Sequence, residues 1–289
     1  MDACTRALEL LPEQLKVNFD GIELSDIEEL RIRLGKRLTV LIRGEEQVIS
    51  DREVNQENID RIMEKATGAS MHAIRDPLRA GYLSYHGLRI GICGMVSCTG
   101  NEVEGFRRIQ SLAVRIPREF PGLCNTLIAQ MYPLIYRNTL IISPPGIGKT
   151  TALRDMIRGL SNRGLRLAVA DERNELSAFD EHGPGFDLGD HTDVLIGTPK
   201  STAAMMLLRG MNPDILAMDE ISSSSDIRVM EQLVGCGVGI LSTAHADDRD
   251  DLFKRPLYRR LMDMQVFSYI LTIRRTEYGR EYCPEKLKG

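Results

Sequence analysis

Nine residues, Ser143-Pro-Pro-Gly-Ile-Gly-Lys-Thr-Thr151, have the side-chain types of a phosphate cradle. Gly146 and Gly148 let backbone N–H groups turn towards an anion with no side chain in the way. Lys149 can reach the β and γ phosphates of a nucleotide, and Thr150 can set its hydroxyl on Mg²⁺. Ser143, Pro144, Pro145, Ile147 and Thr151 complete the loop. The pattern G-x-x-x-x-G-K-[ST] asks for glycine where Ser143 stands; a small residue is tolerated there, and Pro144-Pro145 stiffens the turn. A Gly-Pro turn followed by a chance Lys-Thr is the plainer reading. The flanking pattern argues against it, because 140–143 reads as a strand and 150–160 as a helix, so the helix N-terminus adds positive potential where phosphate would sit.

Further along, Ile215-Leu-Ala-Met-Asp219-Glu220 is an apolar strand ending in two carboxylates. In nucleotide hydrolases with such a loop, an Asp in the position of Asp219 holds Mg²⁺, and a neighbouring Glu, here Glu220, can orient or deprotonate the attacking water. The next strand, 238–243, delivers Ser242-Thr243-Ala244-His245 to the same edge, and ligands of open α/β sheets bind at the carboxyl ends of strands. Thr243 or His245 is therefore expected to hydrogen-bond the γ-phosphate or the water, although a lone histidine is more often structural. Asp171-Glu172-Arg173-Asn174-Glu175 adds acids at that edge. Among them Glu172 is the expected outer acid, with a solvated loop the competing reading.

These groups need a scaffold, and the pattern after residue 138 supplies one. Strands at 140–143, 167–171, 215–219, 238–243 and 267–273 alternate with helices at 150–160, 202–209, 226–234 and 251–262, which predicts a parallel α/β sheet. Residue types in 172–201, rich in Gly, Asp and His, form an unusually long connection, and such connections are often functional. The strand at 167–171 intervenes between the phosphate loop and Asp219-Glu220, which suits the branch of P-loop ATPases with a catalytic Glu and a RecA-like core. The front of the chain reads differently. Alternation in 27–43 around Gly35-Lys36 predicts a hairpin, 58–67 a helix capped by Gly68, and 81–84, 88–93 and 112–116 short strands around a polar loop at 99–105. This is a small α+β domain, assigned to 1–117. Pro117, Pro121 and Gly122 mark a boundary, 118–137 a linker with a helix at 124–135, and 138–289 the ATPase domain.

Composition sets the limits. With 289 residues and 43% hydrophobic content the chain can build real cores, which excludes disorder and fibre. The 37 basic and 41 acidic residues balance in both halves, there is no Trp, and aromatics are only 5%. That disfavours nucleic acid as a partner, because backbone neutralisation needs a positive groove and single strands need stacking platforms. The longest charge-free run, 120–136, is interrupted by Pro121, Gly122, Asn125, Gln130 and Pro133, so no integral membrane segment is expected. Met1-Asp2-Ala3-Cys4 lacks the order of a signal peptide. The six cysteines contain no C-x-x-C pair, which fits a reducing cytoplasm, and Cys93 and Cys98 read as ordinary thiols rather than metal ligands. The short run 222–225 reads as a loop or a helix N-cap.

Taken together, 143–151, 170–176, Arg209-Gly-Met-Asn-Pro-Asp-Ile-Leu-Ala-Met-Asp-Glu-Ile221 and Ser242-Thr-Ala-His245 resemble the ATPase superfamily that powers type II and type IV secretion. Glu-Glu-Leu-Arg-Ile-Arg-Leu-Gly-Lys-Arg at 28–37, and Thr192-Asp-Val-Leu195 followed by Pro199-Lys200, resemble its sporulation branch over nearly the whole chain. The resemblance implies a hexameric, Mg²⁺-dependent ATP hydrolase with a PAS-like N-terminal domain that rotates on the core. It also implies a place in the mother-cell cytoplasm, docked on membrane-embedded sporulation channel proteins around the developing spore. Residues 171–175 match the superfamily's acidic box and 242–245 its histidine box. Arginines that the N-terminal domain sends to nucleotide map to Arg89 and Arg115, with Arg107 and Arg108 as loop alternatives. The chain departs from the superfamily where Ser222-Ser223 replaces Gly-Arg and His191 replaces Arg, so coupling between subunits is expected to be weaker or to use other residues. Two alternatives remain open: the same hydrolysis driving single-stranded nucleic acid, or an ATP-binding scaffold without turnover.

Overall fold

The computed structural model describes residues 3–15, 17–68, 81–100, 102–132, 138–179, 185–277 and 279–287. It divides into two compact units, Met1–Arg118 with Ala178–Gly185, and Glu119–Ser177 with Phe186–Gly289.

The first unit carries helix α1 (Ala3–Glu9), strands β1 (Ile27–Arg33), β2 (Arg37–Ile42) and β3 (Glu45–Glu53), helix α2 (Gln56–Thr67), and strands β4 (Tyr82–Tyr85), β5 (Leu88–Thr99) and β6 (Glu102–Arg115). The six strands form one antiparallel sheet in the order β3-β2-β1-β6-β5-β4. Alternate apolar residues (Leu30, Ile32, Val40, Ile90, Leu112, Val114) form one core with Ile59, Ile62 and Met63 of α2. Each such fully buried side chain contributes about 1.5–3 kcal/mol. Helix α2 begins at a reciprocal Asn55/Asn58 capping box and ends at Gly68 in the left-handed region (φ 55°), as the sequence predicted for its end. The expected polar loop at 99–105 is shorter than predicted, since β5 and β6 run on into one long hairpin. Register shifts at Cys93/Gly94, Met95/Val96 and Ser97/Cys98 absorb its irregular polar sequence.

The second unit holds α3 (Asn125–Met131), β7 (Thr139–Ser143), α4 (Lys149–Ser161), β8 (Leu167–Asp171), β9 (Thr192–Ile196), α5 (Lys200–Met211), β10 (Ile215–Met218), α6 (Ser224–Leu233), β11 (Gly239–His245), α7 (Arg249–Lys254), α8 (Pro256–Asp263), β12 (Tyr269–Thr276) and β13 (Gly279–Lys286). Seven strands lie in the order β13-β12-β7-β11-β10-β8-β9, parallel except for β13. This is the α/β, RecA-like P-loop core with its parallel sheet. Every residue of β7, β8 and β10 is buried, because helices cover both faces. Ile141, Val169, Ala217 and Leu241 point into one core with α3 and α4. Leu140, Ala168, Leu216 and Ile240 point into the other with α5, α6 and α8.

The second unit differs from the sequence reading at four elements. The long connection at 172–201 contains the edge strand β9, and a further edge strand, β13, follows β12. The helix expected at 251–262 is two helices, because Pro256 cannot continue the first and instead opens the second. Helix α3 is shorter than 124–135, and positions 133–137 lie outside the described residues.

Candidate functional site

Strand order sets the site. β11 stands between β7 and β10, so the loop after β7 and the acids after β10 flank the end of β11 at the carboxyl edge of the sheet. The loop turns into α4 through Gly146 (φ 77°) and Gly148 (φ 107°), backbone conformations that other residues adopt only with strain.

Lys149 is 5% exposed. Its ammonium donates to Ser143 O (2.9 Å) and Pro144 O (3.2 Å) and meets His245 Nδ1 at 2.8 Å. Burial lowers its pKa, while the nearby Glu220 and Asp219 charges pull the other way. A lysine donor requires His245 to accept at Nδ1, which puts the ring proton on Nε2, 3.5 Å from Glu220 Oε2. Ser143 is fully buried, and its hydroxyl donates to Pro144 O (2.9 Å).

Thr150 Oγ1 donates to Asp219 Oδ2 (3.2 Å), while Thr243 Oγ1 (2.8 Å) and the Glu220 N–H (2.9 Å) both donate to Asp219 Oδ1. The structure thus brings Lys149, Thr150, Asp219, Glu220, Thr243 and His245 together. Oxygen donors from Thr150 and Asp219 suit a hard divalent cation, which in nucleotide sites takes few protein ligands besides phosphate and water. The Mg²⁺ donor set expected from sequence therefore fits the chemistry of these residues.

Glu172 is exposed, accepts from the backbone N–H of Lys200 (3.2 Å), and lines a cleft with Asp171, Glu175, Asp219 and Glu220. Asp171 has a different job from its exposed neighbour. Its buried carboxylate accepts from the N–H groups of Glu175, Leu176 and Ser177 and from the Ser177 hydroxyl, which fixes the acidic loop. Arg154 of α4 holds the same loop by donating to the carbonyls of Glu175 and Leu176. Burial draws its guanidinium down to about 10, so it stays charged at neutral pH.

Arg89 and Arg115 belong to the first unit, where they stand opposite one another on β5 and β6. Arg89 lies over the Tyr82 ring (4.1 Å), and Arg115 Nε is 3.6 Å from Glu29. Arg107 is exposed, and Arg108 donates to Gln56 Oε1 (3.1 Å).

Sequence reasoning gave no role to three residues that shape the site. Lys200 donates to the carbonyl oxygen of Glu220 and lies 3.7 Å from Asp226. Asp226 forms the α6 capping box with Ser223 and accepts the N–H groups of Ser222 and Ser223. Tyr258 donates its hydroxyl to Ile221 O (2.9 Å). Ser222-Ser223 serves this cap. His191 is exposed, its backbone N–H bonding Ser161 Oγ (2.9 Å). No disulfide ties the chain, and Cys93 and Cys98 are free, exposed thiols.

Fold and loop together define a RecA-like P-loop protein. Its fold matches the Legionella pneumophila ATPase DotB, with TM-score 0.58 and 14% identity over 90% of this chain and 76% of that one. It also matches the pilus retraction motor PilT with bound ADP, with TM-score 0.59 and 15% identity over 99% and 83%. The profile of the family described as sporulation stage III, protein AA, covers residues 8–282. Stage III sporulation protein AA of Bacillus subtilis (strain 168) is 32% identical over 279 residues, 93% of this chain and 90% of that protein. The chain belongs to this sporulation family. Cyanidium caldarium protein ycf45, uncharacterised, is 28% identical over 58% of this chain and 49% of its own length. No helix among the described residues is long and apolar enough to cross a membrane.

Proposed function

We propose that the chain is a Mg²⁺-dependent ATP hydrolase that works as a ring, a hexamer by analogy with secretion ATPases. It energises or assembles a channel complex at the membranes between mother cell and developing spore. The observation that carries this reading is the meeting of Lys149, Thr150, Asp219, Glu220, Thr243 and His245 at one sheet edge.

Backbone N–H groups of 146–151 and the Lys149 ammonium bind the β and γ phosphates, at the start of α4. Thr150 and Asp219 would hold Mg²⁺, which supplies charge neutralisation to the phosphates. Thr243 keeps Asp219 aimed at Thr150 through its 2.8 Å hydrogen bond. Glu220 orients the attacking water, and His245, placed between Lys149 and Glu220, reads the terminal phosphate. Residues 138–289 form the catalytic domain, 118–137 the linker and 1–117 the moving domain. Arg89 or Arg115 adds positive charge to the transition state, and Glu172 supports the cleft from its rim. Partners embedded in the membrane recruit the chain from the cytoplasm.

ATP turnover per subunit, measured against protein concentration with Glu220→Gln in parallel, tests this. Catalysis shared between subunits makes turnover rise as rings form, and the variant loses about 10²–10⁴ of it while still binding nucleotide. Nucleotide binding with no turnover at any concentration would refute hydrolysis and leave a scaffold. Steeply salt-dependent binding of labelled single-stranded oligonucleotide would shift the load to nucleic acid.

A further inference from the structure

Within the second unit, the residues assigned so far lie on the strands from β7 to β11 and on the loops and helices between them; the opposite flank of β7 has no role. That flank is β12, which pairs parallel with β7 through Leu271↔Ile141 and Thr272↔Ile142, and β13, which returns beside it with Arg275↔Arg280 near the turn. Because β12 runs parallel to β7, the turn end of this hairpin comes to the same edge of the sheet as the phosphate loop.

Arg280 there leans on the loop itself. A methyl group placed on Gly148 would stand 3.1 Å from Arg280 Cζ, 3.3 Å from Nη2 and 3.4 Å from Nε. Near-equal distances, with Cζ the nearest, mean that the guanidinium turns its face to Gly148. Arg280 is exposed, and no carboxylate or carbonyl among the described residues accepts from it. A second feature points the same way. Arg275, also exposed, lies directly opposite Arg280 in the ladder, and like charges in that relation repel when no anion lies between them.

We propose that Arg280, backed by Arg275, binds the phosphate chain of a nucleoside di- or triphosphate at its nucleoside end. This rests on the nucleotide reading above and adds a group to that site. Glu220 and His245 lie towards β10 and β11, so a terminal phosphate aimed at them carries the α-phosphate towards the β12–β13 side. Charge on the α-phosphate is the same in ATP and ADP, so Arg280 favours both equally. That separates it from Lys149 and His245, which lie on the side of the terminal phosphate.

Titration of the full-length chain with fluorescent ATP and ADP analogues, for wild type, Arg280→Ala, Arg280→Lys and Arg275→Ala, decides the matter. Arg280→Ala is expected to raise both dissociation constants by the same factor of about ten, equivalent to about 1.4 kcal/mol. Arg280→Lys recovers part of that, and Arg275→Ala loses less than Arg280→Ala. Inorganic tripolyphosphate competes less well against the Arg280→Ala protein, since the contact is to phosphate and not to the base. Unchanged affinity in Arg280→Ala, a loss confined to ATP, or undiminished tripolyphosphate competition overturns the proposal. If Arg280→Ala lowers the melting temperature, the Arg280→Lys protein at wild-type melting must bind more weakly than wild type, and equal binding overturns the proposal. Failure of wild type to bind either nucleotide refutes the nucleotide reading itself.

Discussion

Lys200 offers the sharpest test of how Glu220 is held. Its side chain is 14% exposed, its ammonium donates to the Glu220 carbonyl, and it lies 3.7 Å from Asp226. Lys200→Met keeps the length and apolar stem but removes the donor and the charge. A hydrogen bond from a charged group contributes about 1.5–3 kcal/mol. Glu220 is held at its N–H by Asp219 and at its carbonyl by Lys200, so the loss frees one of two backbone anchors. If the whole amount appears as misplacement of the Glu220 carboxylate in the transition state, kcat falls by about 10- to 150-fold at 1.36 kcal/mol per tenfold. Asp226 keeps the N–H groups of Ser222 and Ser223 and therefore the α6 cap. The stability loss is accordingly nearer 1 kcal/mol, a melting shift of about 2–4 °C. Lys200→Arg restores the charge and a donor and recovers part of kcat. Steady-state turnover against ATP concentration, with melting curves on the same samples, reads both effects. A kcat within twofold of wild type in Lys200→Met would refute the argument, as would a melting loss that Lys200→Arg restores without restoring kcat.

Thr243→Val preserves shape at a position 1% exposed and removes the 2.8 Å hydrogen bond to Asp219. The Mg²⁺ concentration for half-maximal turnover is expected to rise about tenfold, since about 1.4 kcal/mol of carboxylate positioning is lost; an unchanged Mg²⁺ titration would sink the assignment of Asp219. Burial pushes the Cys124 thiol up to about 12, with the Asp155 charge adding to the effect. A thiol pKa raised in the folded state makes the contribution of Cys124 to stability full below pH 9 and lost progressively between pH 9 and about 12. At pH 8 a thiol-specific reagent should therefore modify Cys93, Cys98 and Cys236, which are exposed, well before Cys4 and Cys124, which react only on unfolding. Rapid labelling of Cys124 in the native protein, read by peptide mass, would contradict its burial.

The legible part of the fold is the part that is locally encoded. β7, β8 and β10 are short runs buried on both faces, bounded by turn residues, and each carries its functional residues at its carboxyl end, so sequence patterning and motif coincide. β9 and β13 escaped because they are edge strands. Most of β13 is exposed, and Gly-Arg-Glu-Tyr-Cys-Pro-Glu-Lys has no apolar alternation to read. β9 is held by its ladder to β8 from Leu167↔Thr192 to Asp171↔Ile196, a partner that cannot be inferred from its own five residues. Long-range contacts likewise hid Lys200, whose partners are 20 and 26 positions away, and Arg280, which reaches a loop from which five strands separate it in the chain.

The acceptors around Lys149 also bear on how binding could be felt elsewhere. An ammonium has three protons, and four acceptors compete for them: the carbonyls of Ser143 and Pro144, the Ser143 hydroxyl oxygen at 3.4 Å, and His245 Nδ1. They satisfy the ammonium at 5% exposure, where desolvation lowers its pKa and the Glu220 and Asp219 charges oppose that shift. On the proposed reading, a phosphate oxygen that accepts from Lys149 must displace at least one of them. The contacts to the Ser143 hydroxyl, at 3.4 Å, and to the Pro144 carbonyl, at 3.2 Å, are the longest and belong to the loop that receives the phosphate, so they give way first. Full engagement of a terminal phosphate then frees His245, whose other nitrogen faces Glu220 at 3.5 Å. Released from Lys149, the imidazole can close on Glu220 or on the phosphate itself. Loss of the terminal phosphate returns His245 to Lys149. The γ-phosphate is thereby converted into a choice of partner for one ring at the end of β11, a strand whose neighbours on either side carry the phosphate loop and the catalytic acids.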